Sequence, residues 1–319
     1  MEKKLLEGLK WEPLWASHVG AIKGCVDFLE LGHSVAWVYG GSGHAFVLNV
    51  SADLCPSGPT TWEPERFYEL GRNLGYEIKT VHGHKGMDNF PGIQKDAWEL
   101  CKLAINSGFP CYGWELHYPE YYVVNGYDEN RYYFHGPGFA ENPEPKLWME
   151  LGETEITVVD MHAVRPLEQG PADDGTVVAE ALEFAVAYAR TDKWASQGAG
   201  SKGYDNWIKA LSAGEPHHHG TAYNAAVWHE CRHYAVEFLK EASGRLDDKL
   251  DSMFEEAISH YERVRTNLKT VAELFPFHGM DPEHVKDPDR KEKAIAALRV
   301  AREAEEKGLA ALEKLAASI

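Results

Sequence analysis

The stretch HVGAIKGCVDFLELG, residues 18–32, determines how the first half of the chain is interpreted. Its apolar side chains recur at the spacing of one helix face, at Val19, Ile22, Val26 and Leu29. Gly32 follows at the point where such a helix would end, because glycine readily adopts the left-handed conformation of a helix terminus. The pattern predicts a helix over residues 19–32 with its apolar face packed against another element.

The segments after this helix predict alternating strands and helices. Residues 44–50 (HAFVLNV) are typical of a strand. Residues 61–75 predict a helix that is capped by Thr61 and followed by a strand. The segment 96–116 repeats this order, with Asp96 as the predicted cap of its helix.

Two aromatic and β-branched runs, residues 120–128 and 131–138, flank a polar turn and predict a β-hairpin. Residues 154–164 (TEITVVDMHAV) predict a last strand. Together these elements predict an α+β first domain over residues 1–165, in which a helix packs on an antiparallel sheet.

Residues 166–175 are polar and rich in proline and glycine, so they predict a linker. Beyond it only helical patterns occur, and residues 176–319 are expected to form an all-α bundle. The last helix carries a narrow apolar stripe, which predicts packing on neighbouring helices or, in a homodimer, on the helical domain of a second subunit. The helices are predicted over 176–191, 205–213, 221–242, 247–275 and 287–317.

The chain carries a formal net charge of −18 without a basic stripe, which argues against nucleic acid and anionic membranes as partners. No apolar segment has the length of a membrane span or of a signal peptide, so we expect a cytoplasmic protein. Its five cysteines are scattered without a CxxC pair, which favours reduced thiols over a disulfide framework.

The first domain resembles the papain-like fold of bacteriocin-processing cysteine peptidases. It is more similar still to the amino-terminal domain of the butirosin biosynthesis protein H family of acyltransferases. The resemblance covers residues 15–165 and is carried by the helix at 19–32, the passage AWELCKLAINSGFPCYGWEL (97–116) and the hairpin PEYYVVNGYDENRYYFHGPG (119–138). It implies a triad of Cys, His and Asp or Asn that transfers or hydrolyses an acyl group.

All three triad positions carry other residues in this chain. The position of the cysteine falls on Val19, that of the histidine on Glu120, and that of the third residue on Gly136. Cys25 is expected in the core, and no thiol or hydroxyl is predicted at the head of the helix. The resemblance therefore implies a pseudoenzyme. The alternative is an acyltransferase or amide hydrolase of the papain-like class whose catalytic residues stand at other positions.

Aromatic and acidic residues are expected to line the cleft between the helix head and the hairpin. Because side chains alternate along a strand, only one of Tyr121 and Tyr122 can face this cleft, and we assign Tyr122. Aromatic rings and carboxylates together favour a positively charged ligand, so we predict non-catalytic binding of a small amine-bearing molecule. The alternative is that these residues only fill the sheet core and the surface. The predicted ligand-binding residues are Trp15, His18, Trp114, Glu115, His117, Glu120, Tyr122 and His135.

A second candidate site lies in the helical domain, where residues 229–233 match the HExxH pattern. Histidines four residues apart share a helix face and could hold zinc, with a further ligand from the next helix. A chain with 16 histidines also produces this pattern by chance, and no strand is predicted beside it, so no cofactor is expected. A metal-dependent activity is the alternative, with the ligands His229, His233, Glu255 and His260.

The same helix is predicted to bury one face, formed by Trp228, Cys231, Ala235, Phe238 and Leu239. Glu230 and Arg232 are expected outside this face, where exposed ion pairs would contribute little to stability.

Overall fold

The computed structural model describes residues 3–138, 143–191, 197–214 and 216–319. Within these ranges the helices are α1 (Ser17–Phe28), α2 (Val35–Gly41), α3 (Glu65–Asn73), α4 (Phe90–Asn106), α5 (Asp174–Ala189), α6 (Ser201–Ala213), α7 (His218–Ser243), α8 (Asp251–Leu274) and α9 (Pro288–Ala316). The strands are β1 (Lys4–Leu5), β2 (Asn49–Ser51), β3 (Tyr76–His84), β4 (Cys111–Trp114), β5 (Tyr121–Tyr127), β6 (Arg131–His135), β7 (Lys146–Leu147), β8 (Val158–Pro166) and β9 (Gln197–Ala199).

The chain forms two compact units, and each unit combines two segments of sequence. The first unit comprises Met1–Ser34 and Leu74–Pro171, and the second comprises Val35–Asn73 and Ala172–Ile319. The mixed first half and the helical second half were predicted. The predicted first domain, residues 1–165, was wrong in one respect, because residues 35–73 belong to the unit that contains the later helices.

The first unit is built on a seven-stranded antiparallel sheet. Its strand order is β3-β8-β4-β5-β6-β7, and β1 pairs with β5 at one end of that strand. The predicted hairpin is confirmed as β5 and β6, and the predicted last strand is confirmed as β8. The sheet register places residues of β3, β8, β4 and β5 side by side, and this arrangement positions the candidate site.

Helices cover both faces of this sheet. On one face, α4 packs on a core that includes Cys111, Tyr122, Val124, Val159 and Met161. On the other face, α1 packs against β4 and β5, where the alternating residues of the opposite parity point. The helix–sheet arrangement expected from the sequence is therefore present.

Two glycines allow the chain to cross α1 at very short range. A Cβ atom on Gly20 would lie 2.4 Å from the carbonyl oxygen of Glu12, and one on Gly24 would lie 1.9 Å from that of Lys10. The segment before α1 therefore packs directly on the helix backbone, which only glycine permits at these positions.

Three boundaries in the first half differ from prediction. α1 begins at Ser17, two residues before the predicted start at Val19. α3 begins at Glu65 and not after Thr61, because Pro64 disfavours helical geometry in the residue before it. α4 begins at Phe90 with Pro91 in its first turn, so Asp96 lies inside the helix and is not its cap.

The helices of the second unit pack mainly on α7, α8 and α9. α7 contacts α2 and α8, while α9 contacts α5, α6 and α8. The five predicted helices of the second half are confirmed as α5 to α9, with ends that shift by a few residues. The apolar stripe of α9 is buried within this chain, with Leu298, Leu312 and Leu315 fully covered.

Residues 35–73 join the second unit through close contacts with α7. The ring of Trp37 lies 5.3 Å from that of Phe238, and a Cβ atom on Gly40 would lie 1.9 Å from the Phe238 ring. β2 also pairs with β9, where no strand was predicted, and Asn49 lies opposite Ala199. These contacts explain why the segment does not belong to the first unit.

The predicted strand over 44–50 was wrong for most of its length. Residues His44–Phe46 form a 3-10 turn, and only Asn49 and Val50 of the predicted stretch lie in β2. Arg232 donates hydrogen bonds to the carbonyl oxygens of Ala45 (2.9 Å) and Val47 (2.8 Å). In a strand, these carbonyl oxygens would accept hydrogen bonds from a neighbouring strand. Here they accept hydrogen bonds from the buried side chain of Arg232 instead.

None of the helices in the described ranges is both long and apolar enough to cross a membrane.

Candidate functional site

The head of α1 carries a hydroxyl group, contrary to prediction. Ser17 is the first helical residue, and its hydroxyl donates a hydrogen bond to the carboxylate of Glu120. The backbone N–H of Tyr121 donates to Ser17 Oγ at 3.1 Å. Ser17 is 3% exposed, and Val19 is fully buried further along the helix. The first residue of α1 is therefore Ser17, two residues before the position that the sequence analysis assigned to the cysteine, and Val19 is a core residue.

Beside Ser17, four aromatic rings and one carboxylate form a closed cluster, the His18 cluster, on the α1 side of the sheet. His18 Nε2 and the Tyr112 hydroxyl share a hydrogen bond of 3.0 Å. The His18 ring stacks on Tyr121 with centroids 4.1 Å apart, and the His162 ring stacks on Tyr112 with centroids 4.4 Å apart. Asp160 completes the cluster, because it contacts both Tyr121 and His162.

Asp160 is the common acceptor of the cluster. The Tyr121 hydroxyl donates to its Oδ2 at 2.7 Å, and His162 Nε2 lies 2.9 Å from the same oxygen. His82 Nδ1 lies 3.1 Å from Oδ1, and 61% of the His82 side chain is exposed. Burial opposes ionisation, but the charge of His162 and the bonds from His162, His82 and Tyr121 hold the pKa of Asp160 well below its usual value.

The sheet register brings these residues together. Thr80, His162, Tyr112, Val123 and His135 lie in one row across β3, β8, β4, β5 and β6. The adjacent row contains His82 of β3 beside Asp160 of β8 and, on the next two strands β4 and β5, Trp114 beside Tyr121. Thr80 Oγ1 lies 2.9 Å from His162 Nδ1, which fixes the orientation of that ring. The cluster is thus assembled by two neighbouring rows of a single sheet face.

Several predicted residues lie at or near this cluster. His18 belongs to it, Trp114 contacts it through the Tyr121 ring at 5.1 Å, and Glu120 reaches it through Ser17. Trp15 lies just before α1 and is half-buried. These four residues are the part of the predicted binding set that the fold gathers around the head of α1.

The other predicted residues lie elsewhere or have internal roles. Tyr122 was the wrong choice between the two tyrosines, because it faces the α4 core and Tyr121 faces α1. Glu115 accepts a hydrogen bond of 2.7 Å from Thr154, and burial raises its pKa. His117 is exposed and contacts the Tyr118 ring.

His135 and Gly136 end the second strand of the hairpin. His135 shares the row of Tyr112, and burial lowers its pKa; its Nδ1 has no hydrogen-bond partner among the residues that the structure describes. A Cβ atom on Gly136 would lie 2.6 Å from the Tyr122 ring. The third triad position therefore has no room for the carboxylate or amide that the resemblance implies.

The HExxH stretch does not form a metal-binding group with the expected ligands. Within the described ranges, no three His, Cys, Asp or Glu side chains are placed to hold a metal ion. Glu230 accepts a hydrogen bond of 2.6 Å from the Tyr39 hydroxyl, and Glu255 is exposed. Burial lowers the pKa of His229 to about 4, and His233 adds to this shift. His260 lies half-buried on α8.

Arg232 is buried, and the expectation of exposed ion pairs was wrong for this residue. Its Nη2 lies 2.7 Å from Glu305 Oε1 and its Nε donates to Oε2 at 2.8 Å. The Tyr204 hydroxyl donates to the same carboxylate at 2.8 Å. The predicted buried face of α7 is confirmed, with Trp228, Cys231 and Phe238 fully covered.

Sequence reasoning missed most of the His18 cluster, although a signal was present. β8 contains Asp160 and His162 at alternating positions within the apolar run VVDMHAV, and the exposed strand β3 places Thr80 and His82 beside them. Polar residues at i and i+2 in a buried strand share one face and need partners there. This pattern marks β8 and β3 as site-forming strands.

A groove in the first unit lies away from the cluster. It has a volume of about 500 Å³ between α4 and β3, on the opposite sheet face, and is lined by residues that include Lys79, Leu103 and Phe109.

No protein-family model matches the chain, and no curated protein is significantly similar to it.

Proposed function

We propose that this protein binds a small amine-bearing molecule at the head of α1, beside the His18 cluster, without covalent chemistry. We also infer that the first unit is a papain-like scaffold. In support, the amino end of a helix meets an antiparallel sheet whose facing rows carry histidine and aspartate. The resemblance implies a helix packed on an antiparallel sheet, with the histidine and the third residue on the hairpin and not on β8.

One observation carries the proposal: the hydroxyl at the helix head is bonded to a carboxylate and not to an imidazole. Ser17 donates to Glu120, while the neighbouring His18 is engaged with Tyr112. A carboxylate is far too weak a base to ionise a serine hydroxyl, whereas nucleophilic serines rely on an adjacent stronger base. Ser17 therefore connects α1 to β5 and lacks the activation that acyl transfer needs.

The chemistry around the helix head favours a cation. Asp160 is ionised at neutral pH, as the direction of its pKa shift indicates, and Glu120 is half-buried rather than enclosed. The Tyr121 hydroxyl donates to Asp160, and the Trp114 ring packs against the Tyr121 ring with centroids 5.1 Å apart. An alkylammonium group is attracted both to aromatic faces and to carboxylates, so it matches this surface better than an anion or a neutral sugar.

The binding test compares charged and uncharged probes of similar length. Calorimetric titration with spermidine, an aminoglycoside and free amino acids should give binding by at least one amine, and a neutral glycol should give none. Glu120→Gln keeps an acceptor for Ser17 but removes the charge, so it should weaken binding about tenfold. Glu7→Gln, an exposed carboxylate of the same unit, serves as the control. Absence of binding by every amine would contradict the proposal.

Acyl transfer is the second candidate, and one observation favours it. Ser17 lies at the positive end of α1 and is bonded to the residue that occupies the histidine position of the resemblance. In such a reaction Ser17 Oγ would form a bond to the acyl carbon while Glu120 takes the hydroxyl proton in the same step. The bond from the acyl carbon to the thiol or amine would then break, and Glu120 would pass the proton to that leaving group. Exposure to a fluorophosphonate and to a thioester, followed by mass spectrometry, separates the two functions. An adduct on Ser17 or on a cysteine would favour transfer, and an unmodified chain would favour binding.

A further inference from the structure

β3 is a long edge strand of the seven-stranded sheet. It spans nine residues and, in the described part of the chain, pairs only with β8. Residues Lys79, Thr80, His82 and His84 are exposed. Proteins usually protect such edges by making them short or by adding proline, a bulge or lysine, and of these features β3 has only one lysine, Lys79.

The backbone hydrogen bonds between β3 and β8 show which backbone groups of β3 point away from β8. Leu167 N–H donates to the Gly75 carbonyl at 2.8 Å, and Lys85 N–H donates to the Thr157 carbonyl at 2.9 Å. The register of β3 with β8 continues through both pairs, so the odd-numbered residues direct their backbone groups toward β8. The N–H and C=O groups of Ile78, Thr80 and His82 therefore point to the open edge.

We propose that this edge pairs with β3 of a second copy of the chain, antiparallel, with the two-fold axis at Val81. This register uses the whole strand and brings no like charges opposite each other. It places Val81 opposite Val81 of the partner subunit and Lys79 opposite a glycine. Ile78 lies opposite His84 of the partner subunit, and Thr80 lies opposite His82 of the partner subunit.

Charge complementarity at the two ends selects this register. Glu77 of each copy lies opposite Lys85 of the partner subunit, so the pairing forms two symmetric ion pairs. If the two-fold axis lay at Lys79 instead, this lysine would lie opposite Lys79 of the partner subunit, and the two like charges would repel each other. The self-complementary sequence of β3 therefore points to a second copy of this chain as the occupant of the edge.

A strand-to-strand contact of this kind is small, so the dimer should be weak and form in the micromolar range. Sedimentation velocity from about 1 to about 200 µM covers this range. Glu77→Lys and Lys85→Glu should each weaken the dimer about tenfold, because each turns both ion pairs into repulsions. Lys102→Glu, an equal charge change on α4, should leave the dimer unaffected.

The double variant Glu77→Lys with Lys85→Glu separates the interface from the fold. Across the dimer it restores opposite charges, so association should return toward that of the unmodified protein. Within one chain Glu77 pairs with Arg165, and Lys85 pairs with Glu153, so the double variant loses both internal pairs. A double variant as impaired as the single ones, or an unmodified chain that stays monomeric throughout, would overturn the proposal.

Discussion

Replacing His44 by leucine should remove part of the stability loss that this protein suffers in mild acid. His44 is 1% exposed, and its ring makes edge contacts with Tyr39, Trp62 and Phe67. Burial lowers the pKa of His44 from 6.5 to about 3, and the charge of Arg232 contributes to the shift. The imidazole is therefore neutral in the folded state at any pH that the protein meets in a normal assay.

The sign and size of the effect follow from proton linkage. Between pH 6.5 and about 3 the unfolded chain binds a proton at this residue and the folded chain does not. Stability is therefore complete above pH 6.5 and falls as the pH is lowered through this window. The slope is about 1.4 kcal/mol per pH unit, so lowering the pH from 7 to 5 costs about 2 kcal/mol from this residue alone.

Urea unfolding at pH 7 and at pH 5 measures the difference. The leucine variant should lose about 2 kcal/mol less than the unmodified protein between these two conditions, whatever its absolute stability. His278→Leu, which changes an exposed histidine of the same unit, should leave the difference unchanged. If His44→Leu and the unmodified protein show the same change in the free energy of unfolding between pH 7 and pH 5, the conclusion that His44 is neutral in the folded state is refuted.

Two further predictions concern buried charges. Asp160→Asn should lower the free energy of unfolding by about 2–3 kcal/mol at pH 7, because the carboxylate orients Tyr121. His82→Asn should lower it by less than about 1 kcal/mol, because most of that side chain is exposed. Equal losses for the two variants in thermal or urea unfolding would contradict the role of Asp160 in the His18 cluster. Arg232→Met should cost about 4 kcal/mol, because it leaves Glu305 buried without its partner. Adding Glu305→Leu should recover part of that loss, and a double variant that unfolds as easily as the single one would count against the pair.

The second half of the fold was predictable because its helices have a strong period. α8 and α9 each bury one face and expose the other, and the apolar residues of α7 also recur at helical spacing, so the positions of residues such as Trp228, Phe238 and Leu312 report the structure directly. The β-hairpin was predictable for a related reason, since two β-branched and aromatic runs flank a polar turn.

The candidate site was harder to predict because β5 lacks alternation. Tyr121, Tyr122, Val123 and Val124 are all buried, so the sequence contains no signal for which tyrosine faces α1. The start of α1 was equally hidden, because Ala16 precedes the helix without a side-chain cap. Two residues of error at this point moved the helix head from Ser17 to Val19 and removed a hydroxyl from the predicted site.

The domain assignment failed for a different reason. The contacts that place residues 35–73 in the second unit join positions far apart in the chain, such as Gly40 and Phe238. Local patterns cannot report such pairs, because the partner of each residue lies outside any window that a periodicity covers.

The split origin of the second unit has a consequence during synthesis. Trp37 and Gly40 leave the ribosome long before Phe238, which follows about 200 residues later. At translation rates of about 5–20 residues per second, the apolar surface of α2 remains uncovered for about 10–40 s before α7, its partner helix, has been synthesised. A nascent chain of this protein therefore exposes the apolar face of α2 while its first unit is completed.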